Sequence, residues 1–160
     1  LEAGTGELGH VLDGEAGPDG LLVTIDGTSS ALLDVGEAVF VPAGLSGEVT
    51  PLFDGAVAAA HRITFVAAGG EGSFTPGAGS RDVNLIRGVL EPGETLEVLS
   101  PFPVLVIVTD GEVVDATGAT DDDSALSDGT TVVLDPGVAL RNEGDGSATV
   151  IAVAVGGQVP

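Results

Sequence analysis

The 160-residue sequence contains no cysteine, methionine, tryptophan, tyrosine or lysine. Without cysteine, the chain has no disulfide, no thiol nucleophile and no cysteine-ligated zinc or iron–sulfur centre. Without lysine, it has no phosphate-binding loop of the G-x-x-x-x-G-K-[ST] type, whose lysine contacts the phosphates. No apolar run reaches the roughly 18 residues that a membrane-spanning helix needs. The absences therefore exclude thiol chemistry, P-loop nucleotide binding and a transmembrane helix.

Positive charge is also scarce. Four arginines oppose 25 acidic residues, and the formal net charge is −21. A chain with this charge repels nucleic-acid phosphates, and it has no tyrosine or tryptophan on which bases would stack. Anionic membrane surfaces are disfavoured for the same reason. We therefore predict no nucleic-acid partner. The four arginines are Arg62, Arg81, Arg87 and Arg141.

Hydrophobic residues make up 43% of the chain, which favours a packed core over the disorder that high acidity alone would suggest. Short apolar, often β-branched runs recur between glycine, aspartate and proline, a pattern typical of strands. The Asp-Gly pairs at 26–27, 110–111 and 128–129 predict tight turns. The best helical candidate, Gly55–His61, is too short. We predict an all-β, antiparallel fold with strands at Leu21–Ile25, Ala38–Val41, Ile63–Val66, Val83–Ile86, Val104–Val108, Thr131–Leu134 and Thr149–Val155.

The two halves of the chain repeat the same order of segments. Leu21–Gly27, Leu32–Gly44 and His61–Ala68 in the first half are echoed by Val104–Gly111, Ala125–Gly137 and Ala148–Gly156 in the second. Gly, Ser and Pro are concentrated between the halves, as in a flexible connector. We therefore predict one unit at 1–68, a connector at 69–80 and a second unit at 81–160. The stretch Leu1–Gly20 is mostly turn-forming.

The second half resembles the cupin superfamily, whose units are small jelly-roll barrels. The segments that carry the resemblance are Val89–Val98, Val104–Val113 and Asp128–Val153, and Gly36–Gly44 carries a weaker match in the first half. The resemblance implies antiparallel jelly-roll barrels in two cupin-like units, a bicupin. It is more informative about fold than about substrate.

Cupins hold a metal through a His-x-His pair and a glutamate of one motif, with a further histidine from a second motif. In this sequence Leu99 and Pro101 stand at the two histidine positions, and the glutamate position falls near Val104. The second-motif histidine position is occupied by Leu140 in the second half and by Gly47 in the first half. None of these side chains is a ligand for a first-row metal. The resemblance therefore implies degenerate ligand positions, and we predict no catalytic residues and no cofactor.

Two further groups of polar residues are candidates for a site. His10 and His61 are the only histidines, and we interpret them as surface or boundary residues, with a catalytic or metal role as the alternative. Asp121, Asp122 and Asp123 are flanked by Thr120 and Ser124, and such oxygen donors suit calcium. A solvated acidic loop is the alternative at this cluster.

The leading prediction for function is a non-enzymatic structural module that associates with itself as an oligomer or a filament. Strands that are apolar at nearly every position favour burial on both faces, and strand edges are docking sites. The lack of sulfur to oxidise and a first residue other than methionine lead us to expect a processed chain that acts outside the cell or on its surface. A metal-free cupin that binds a small molecule or sugar is the second hypothesis. A metal-dependent cupin enzyme is the third.

Overall fold

A computed structural model describes residues 7–14, 21–34, 36–42, 44–53, 60–66, 81–117 and 125–158. These residues form strands and turns, and the strands pair antiparallel throughout. The strands are β1 Glu7–Gly14, β2 Leu21–Ile25, β3 Ser29–Leu33, β4 Ala38–Pro42, β5 Gly47–Pro51, β6 Ala60–Val66, β7 Arg81–Leu90, β8 Thr95–Val98, β9 Val104–Asp110, β10 Glu112–Asp115, β11 Leu126–Ser127, β12 Thr131–Leu134, β13 Val138–Arg141 and β14 Ala148–Gln158.

The chain divides into two compact units, unit 1 at Leu1–Gly70 and unit 2 at Glu71–Pro160. Unit 2 contains two four-stranded sheets, with strand orders β12-β9-β14-β7 and β11-β10-β13-β8. Alternate side chains of these strands enclose one aliphatic cluster, as expected for a small jelly roll. Its fully buried members include Val98, Val104, Val106, Val108, Val113, Val138 and Leu140.

Unit 1 has two three-stranded sheets in its described residues, with orders β4-β1-β6 and β3-β2-β5. Its cluster of buried side chains is smaller and consists of Leu21, Val23, Leu33 and Val41. The partly buried Ile25, Val39, Val49 and Ala60 pack against it. The predicted boundaries of the two units and of the connector stay predictions, because residues 67–80 lie outside the described residues.

The six strands of unit 1 correspond in order and pairing to the last six strands of unit 2. The sheet β4-β1-β6 matches β12-β9-β14, and β3-β2-β5 matches β11-β10-β13. Gly44 and Gly137, at φ of 82° and 86°, anchor the alignment. Val41 and Leu134 each lie three residues before these glycines, so the register row Val41–His10–Thr64 matches Leu134–Val104–Ala154.

A buried asparagine holds together the turns at one end of unit 2. Asn142 is the only buried polar side chain among the described residues. Its Nδ2 donates to the carbonyl oxygens of Leu90 at 2.8 Å and Gly146 at 2.7 Å, and its Oδ1 accepts from Gly144 N at 2.8 Å. Every donor of the amide is therefore satisfied, which removes the penalty for burying it. This assigns a structural role to the Arg141-Asn142-Glu143-Gly144-Asp145 turn.

The all-β, antiparallel prediction is confirmed, and each predicted strand falls on an observed one. The glycines of the three Asp-Gly turns take positive φ, at 67° for Gly27, 75° for Gly111 and 79° for Gly129. Two expectations were wrong. β1 lies within the stretch 1–20 that was predicted to be mostly turns, and the first pair of echoed segments is offset, because β9 corresponds to β1 rather than to β2. Of the helical candidate, residues 54–59 lie outside the described residues, and Ala60 and His61 belong to β6.

Candidate functional site

The four positions at which unit 2 would carry metal ligands separate into two pairs. Val104 and Leu140 are fully buried and belong to the same aliphatic cluster. Leu99 and Pro101 lie in the loop between β8 and β9, where Leu99 is 90% exposed and Pro101 is exposed. Two of the positions are thus core residues and two are surface residues. None of the four presents a donor atom from its side chain to a metal ion.

Contacts with neighbouring strands fix the loop that carries Leu99. Ser100 Oγ donates to the Val155 carbonyl at 3.5 Å and accepts from Phe102 N at 3.1 Å. The guanidinium of Arg81 lies 4.9 Å from the centre of the Phe102 ring, within the range of a cation–π interaction. Arg81 Nη1 also donates to the Gly156 carbonyl at 3.4 Å. The loop is therefore attached to the ends of β7 and β14, with Leu99 in solvent.

In unit 1, the structure places the two histidines on paired strands but at different register positions. His10 on β1 is in register with Val41 of β4 and Thr64 of β6, whereas His61 on β6 is in register with Asp13. The two register rows are three positions apart along each strand. Because this is an odd number, the rows belong to opposite faces of the sheet. Gly47, at the second-motif position of unit 1, begins β5 opposite Ile25. The two histidines therefore do not form one site with each other.

The strand correspondence shows a polar set that the sequence did not reveal. Thr64 and Arg62 of β6 match Ala154 and Ala152 of β14, which are buried in the aliphatic cluster of unit 2. His10 matches Val104 in the same way. In unit 1, both Arg62 and Thr64 are exposed. The positions that fill the interior of one unit therefore carry an arginine, a threonine and a histidine in the other.

These residue types can bind an anion. An arginine guanidinium presents a fork of N–H donors that matches a carboxylate, and a threonine hydroxyl adds one more donor. Residues two apart on one strand share a face and lie roughly 7 Å from each other. Val41, in register with His10, is fully buried and borders the set on the apolar side. A small organic anion with an apolar part fits this combination of charge and aliphatic surface.

The sequence contains a signal for this set, but only when the correct strands are compared. Residues 61–64 of β6 are His, Arg, Ile and Thr, so that polar residues stand at positions 62 and 64. The matching residues 151–154 of β14 are Ile, Ala, Val and Ala. The predicted echo paired β6 with β14 but β9 with β2, so that His10 was not compared with Val104. The set was also missed because His10 fell in a stretch that was predicted to be turns.

Other predicted sites remain as predictions. Asp121, Asp122 and Asp123 lie outside the described residues, and with them the calcium hypothesis. Within the residues that the structure describes, no three His, Cys, Asp or Glu side chains are grouped to hold a metal ion. Across the same residues, no helix has the length and apolar character to cross a bilayer. The lack of a nucleic-acid partner and the localisation outside the cell stay predictions.

Comparison of this fold with solved structures gives matches along nearly the whole chain. A conserved protein of unknown function from Pseudomonas aeruginosa PAO1, PA5104, is matched with a TM-score of 0.64 and 12% identity, over 98% of this chain and 77% of that one. HutD from Pseudomonas fluorescens SBW25 gives a TM-score of 0.52 and 12% identity, over 98% of this chain and 73% of that one. Quercetin 2,3-dioxygenase from Acinetobacter baumannii gives 0.52 and 15%, over 98% of this chain and 66% of that one.

No family model matches the sequence, and no curated protein matches it significantly. At 12–15% identity the structural matches establish the fold and leave substrates open. The chain has a cupin-like, jelly-roll fold.

The comparison also corrects the predicted function. We predicted a non-enzymatic structural module that associates into oligomers or filaments, and this prediction is wrong. The proteins that share the fold include a dioxygenase and HutD, and a structural or filament-forming role has no support among the structures described above. At 15% identity the shared fold does not carry the activity of the dioxygenase over to this chain.

Proposed function

We propose that this chain is a bicupin-like protein of small-molecule metabolism that binds a small organic anion on unit 1. In this proposal unit 2 is a filled barrel with a structural role. One observation carries the proposal: equivalent register positions hold Ala152, Ala154 and Val104 in unit 2 but Arg62, Thr64 and His10 in unit 1. The cupin-like fold is compatible with metabolic roles, since a quercetin 2,3-dioxygenase shares it.

Arg62 is the residue on which the proposed binding depends most. Its guanidinium stays charged at any physiological pH and pairs with a carboxylate through two parallel hydrogen bonds. Thr64, two residues along the same strand, is placed to donate a further hydrogen bond to the same ligand or to its second polar group. His10, which is in register with Thr64, is the third residue of the polar set.

The net charge of −21 opposes an anionic ligand at long range. That repulsion is screened beyond about 8 Å at physiological ionic strength, whereas direct pairing with Arg62 acts at contact distance. A small monocarboxylate or dicarboxylate, which takes few like charges close to the acidic surface, is favoured over a polyanion. We therefore expect ligands of low charge with an aliphatic or aromatic body.

The four ligand positions of unit 2 do not fit the metal that the cupin resemblance implies, and neither does the second-motif position of unit 1. In unit 2 the ligand positions are Leu99, Pro101, Val104 and Leu140, and in unit 1 the second-motif position is Gly47. A first-row metal needs imidazole or carboxylate donors that converge on one point. The proposal therefore routes no chemistry through a metal.

The test is a ligand screen on the full chain with two matched variants. Purified protein is melted in the presence of acetate, succinate, citrate or benzoate, and hits are measured by titration calorimetry. We expect at least one carboxylate to raise the melting temperature by about 3 °C near saturation. Arg62→Gln should abolish the shift. Thr64→Val should weaken binding roughly fivefold, the effect of one hydrogen bond.

Arg141→Gln is the control, because it makes the same charge change at another exposed arginine, 3.9 Å from Glu143 in unit 2. It should leave the shift intact. Equal loss of binding in the two arginine variants, or no response to any carboxylate, would show that the polar set is not a binding site. Stoichiometric iron, manganese or nickel retained after loading and desalting would contradict the metal-free part of the proposal.

A further inference from the structure

Among the residues that the structure describes, two strands of unit 1 lack a neighbour that pairs with their counterparts in unit 2. β5 and β6 are the last strands of the sheets β3-β2-β5 and β4-β1-β6 among the described residues. Their counterparts β13 and β14 each have one more neighbour, β8 and β7 respectively. Unit 2 thus shows what occupies these edges when the barrel is complete. The described residues of unit 1 contain no counterpart of β7 or β8.

The occupant in unit 2 is a single hairpin-like segment. β7 runs antiparallel along β14, from Leu90 opposite Ala148 to Arg81 opposite Gln158, and β8 runs antiparallel along β13. A tight turn joins them, in which Glu94 N donates to Glu91 O at 2.9 Å and Glu94 Oε2 accepts from Glu91 N at 2.9 Å. One continuous piece of chain therefore adds a strand to both sheets at once.

We propose that the outer edges of β5 and β6 form a docking site for a β-hairpin supplied by a partner polypeptide. Open edges carry backbone N–H and C=O groups in the spacing of a ladder, and an added strand satisfies them. The geometry of β7 and β8 in unit 2 shows that one hairpin reaches both edges of such a unit. Docking does not require a bound anion, because the ladder forms through backbone groups, although the hairpin and the proposed anion share Arg62.

The register also predicts which side chains the hairpin carries. Ile86 of β7 lies opposite Ala152, whose counterpart in unit 1 is Arg62. Thr95 of β8 lies opposite Arg141, whose counterpart is Glu48, an exposed residue of β5. Opposite charges in directly paired positions stabilise a sheet. The fitting hairpin therefore has an acidic residue opposite Arg62 and a basic residue opposite Glu48.

The experiment uses a peptide built from this chain's own hairpin. Its sequence is residues 81–98 with the changes I86E and T95R. In unit 2, Ile86 packs against the aliphatic cluster, so a glutamate there prevents the peptide from replacing β7 in unit 2. The peptide is added to the full chain, and it is also fused ahead of the chain through a flexible linker. Fusion raises the effective concentration to the millimolar range, so weak docking is also detected.

Hydrogen exchange read by mass spectrometry locates the docked hairpin. We expect amides of residues 47–51 and 60–66 to exchange at least tenfold more slowly in the fusion, and its melting temperature to rise by about 5 °C. A fusion of a scrambled peptide should change neither. Arg62→Glu should weaken the designed peptide more than it weakens one that retains Ile86. If the fusion leaves residues 47–51 and 60–66 unprotected, or protects 138–141 and 148–158 instead, the docking site does not exist.

Discussion

Units 1 and 2 share a strand order and differ in what they place at the same positions. Unit 2 has eight strands, β7 to β14, around one aliphatic cluster that includes Val104 and Leu140. Unit 1 has six described strands and a cluster of four buried residues. At the matching positions of β6, unit 1 has Arg62 and Thr64 where unit 2 has alanines. One topology thus supports either a filled interior, which stabilises the fold, or exposed polar side chains at the same positions.

The largest expected effect tests whether the two cores differ in rigidity. Leu140→Ala should destabilise unit 2 by about 4 kcal/mol, because Leu140 is one of thirteen buried residues in a single cluster that leaves little room for collapse into the cavity. Leu21→Ala should destabilise unit 1 by about 2.5 kcal/mol, because the partly buried Ile25 and Val49 can move inward. Both leucines are 0% exposed in the native protein.

The measurement is native-state hydrogen exchange, read separately for core amides of each unit. Chains with two units often unfold in more than one step, and a single melting temperature would mix them. Leu32→Ala, at a side chain that is 54% exposed, is the control and should change stability by less than about 0.5 kcal/mol. Equal losses for Leu140→Ala and Leu21→Ala would remove the distinction between a rigid and an adaptable core.

The second prediction concerns the junction that only unit 2 contains. Asn142→Asp should destabilise unit 2 by about 3 kcal/mol at pH 7. The new carboxylate would place an acceptor against the carbonyl oxygens of Leu90 and Gly146, which now accept from the Asn142 amide at 2.8 Å and 2.7 Å. Native-state hydrogen exchange of core amides in unit 2 gives the change in free energy. Asn84→Asp, at the one other asparagine, is exposed and should have little effect.

The pH dependence of Asn142→Asp has a definite sign. Burial and the facing carbonyls raise the pKa of the introduced carboxyl above its unfolded value of about 3.9. The folded variant therefore holds the proton more tightly than the unfolded chain does. Its loss of stability should be smallest near pH 4 and should grow as the pH rises through the folded pKa. A loss that stays the same between pH 4 and pH 7 would show that the side chain has turned out to solvent, where its pKa is the unfolded value.

Much of the fold could be predicted from the sequence because its local signals are strong. Leu21–Ile25 and Thr131–Leu134 are β-branched or apolar runs between turn residues, and both are strands with those bounds. The Asp-Gly turn at 110–111 was predictable because glycine takes positive φ without strain, and Gly111 has a φ of 75°. The resemblance of Asp128–Val153 to cupins likewise led to the correct fold class.

The candidate site could not be predicted, because it depends on which strands are neighbours. Thr64 and His10 are 54 positions apart, and only the pairing of β6 with β1 puts them in one row. Periodicity identifies strands but not their partners, and the same Asp-Gly ending on β2 and β9 favoured the wrong alignment. The self-association prediction relied on the same limited information, since apolar strands alone do not show what covers them.

A reciprocal exchange of one side chain gives the smallest effect and the most direct test of the comparison. Ala154→Thr puts the residue of unit 1 into unit 2, at a side chain that is 3% exposed in the aliphatic cluster. It should destabilise unit 2 by about 2 kcal/mol, because the added hydroxyl is buried in a packed interior. Thr64→Ala puts the residue of unit 2 into unit 1, where the position is exposed, and should change stability by less than about 0.5 kcal/mol.

The two variants differ by the same atoms in opposite directions, so transfer energies alone would give effects of similar size. Exchange rates of β9 and β1 amides report the two units separately. A cost above about 1.5 kcal/mol for Thr64→Ala would mean that Thr64 serves packing rather than a ligand, and the functional contrast between the units would fail.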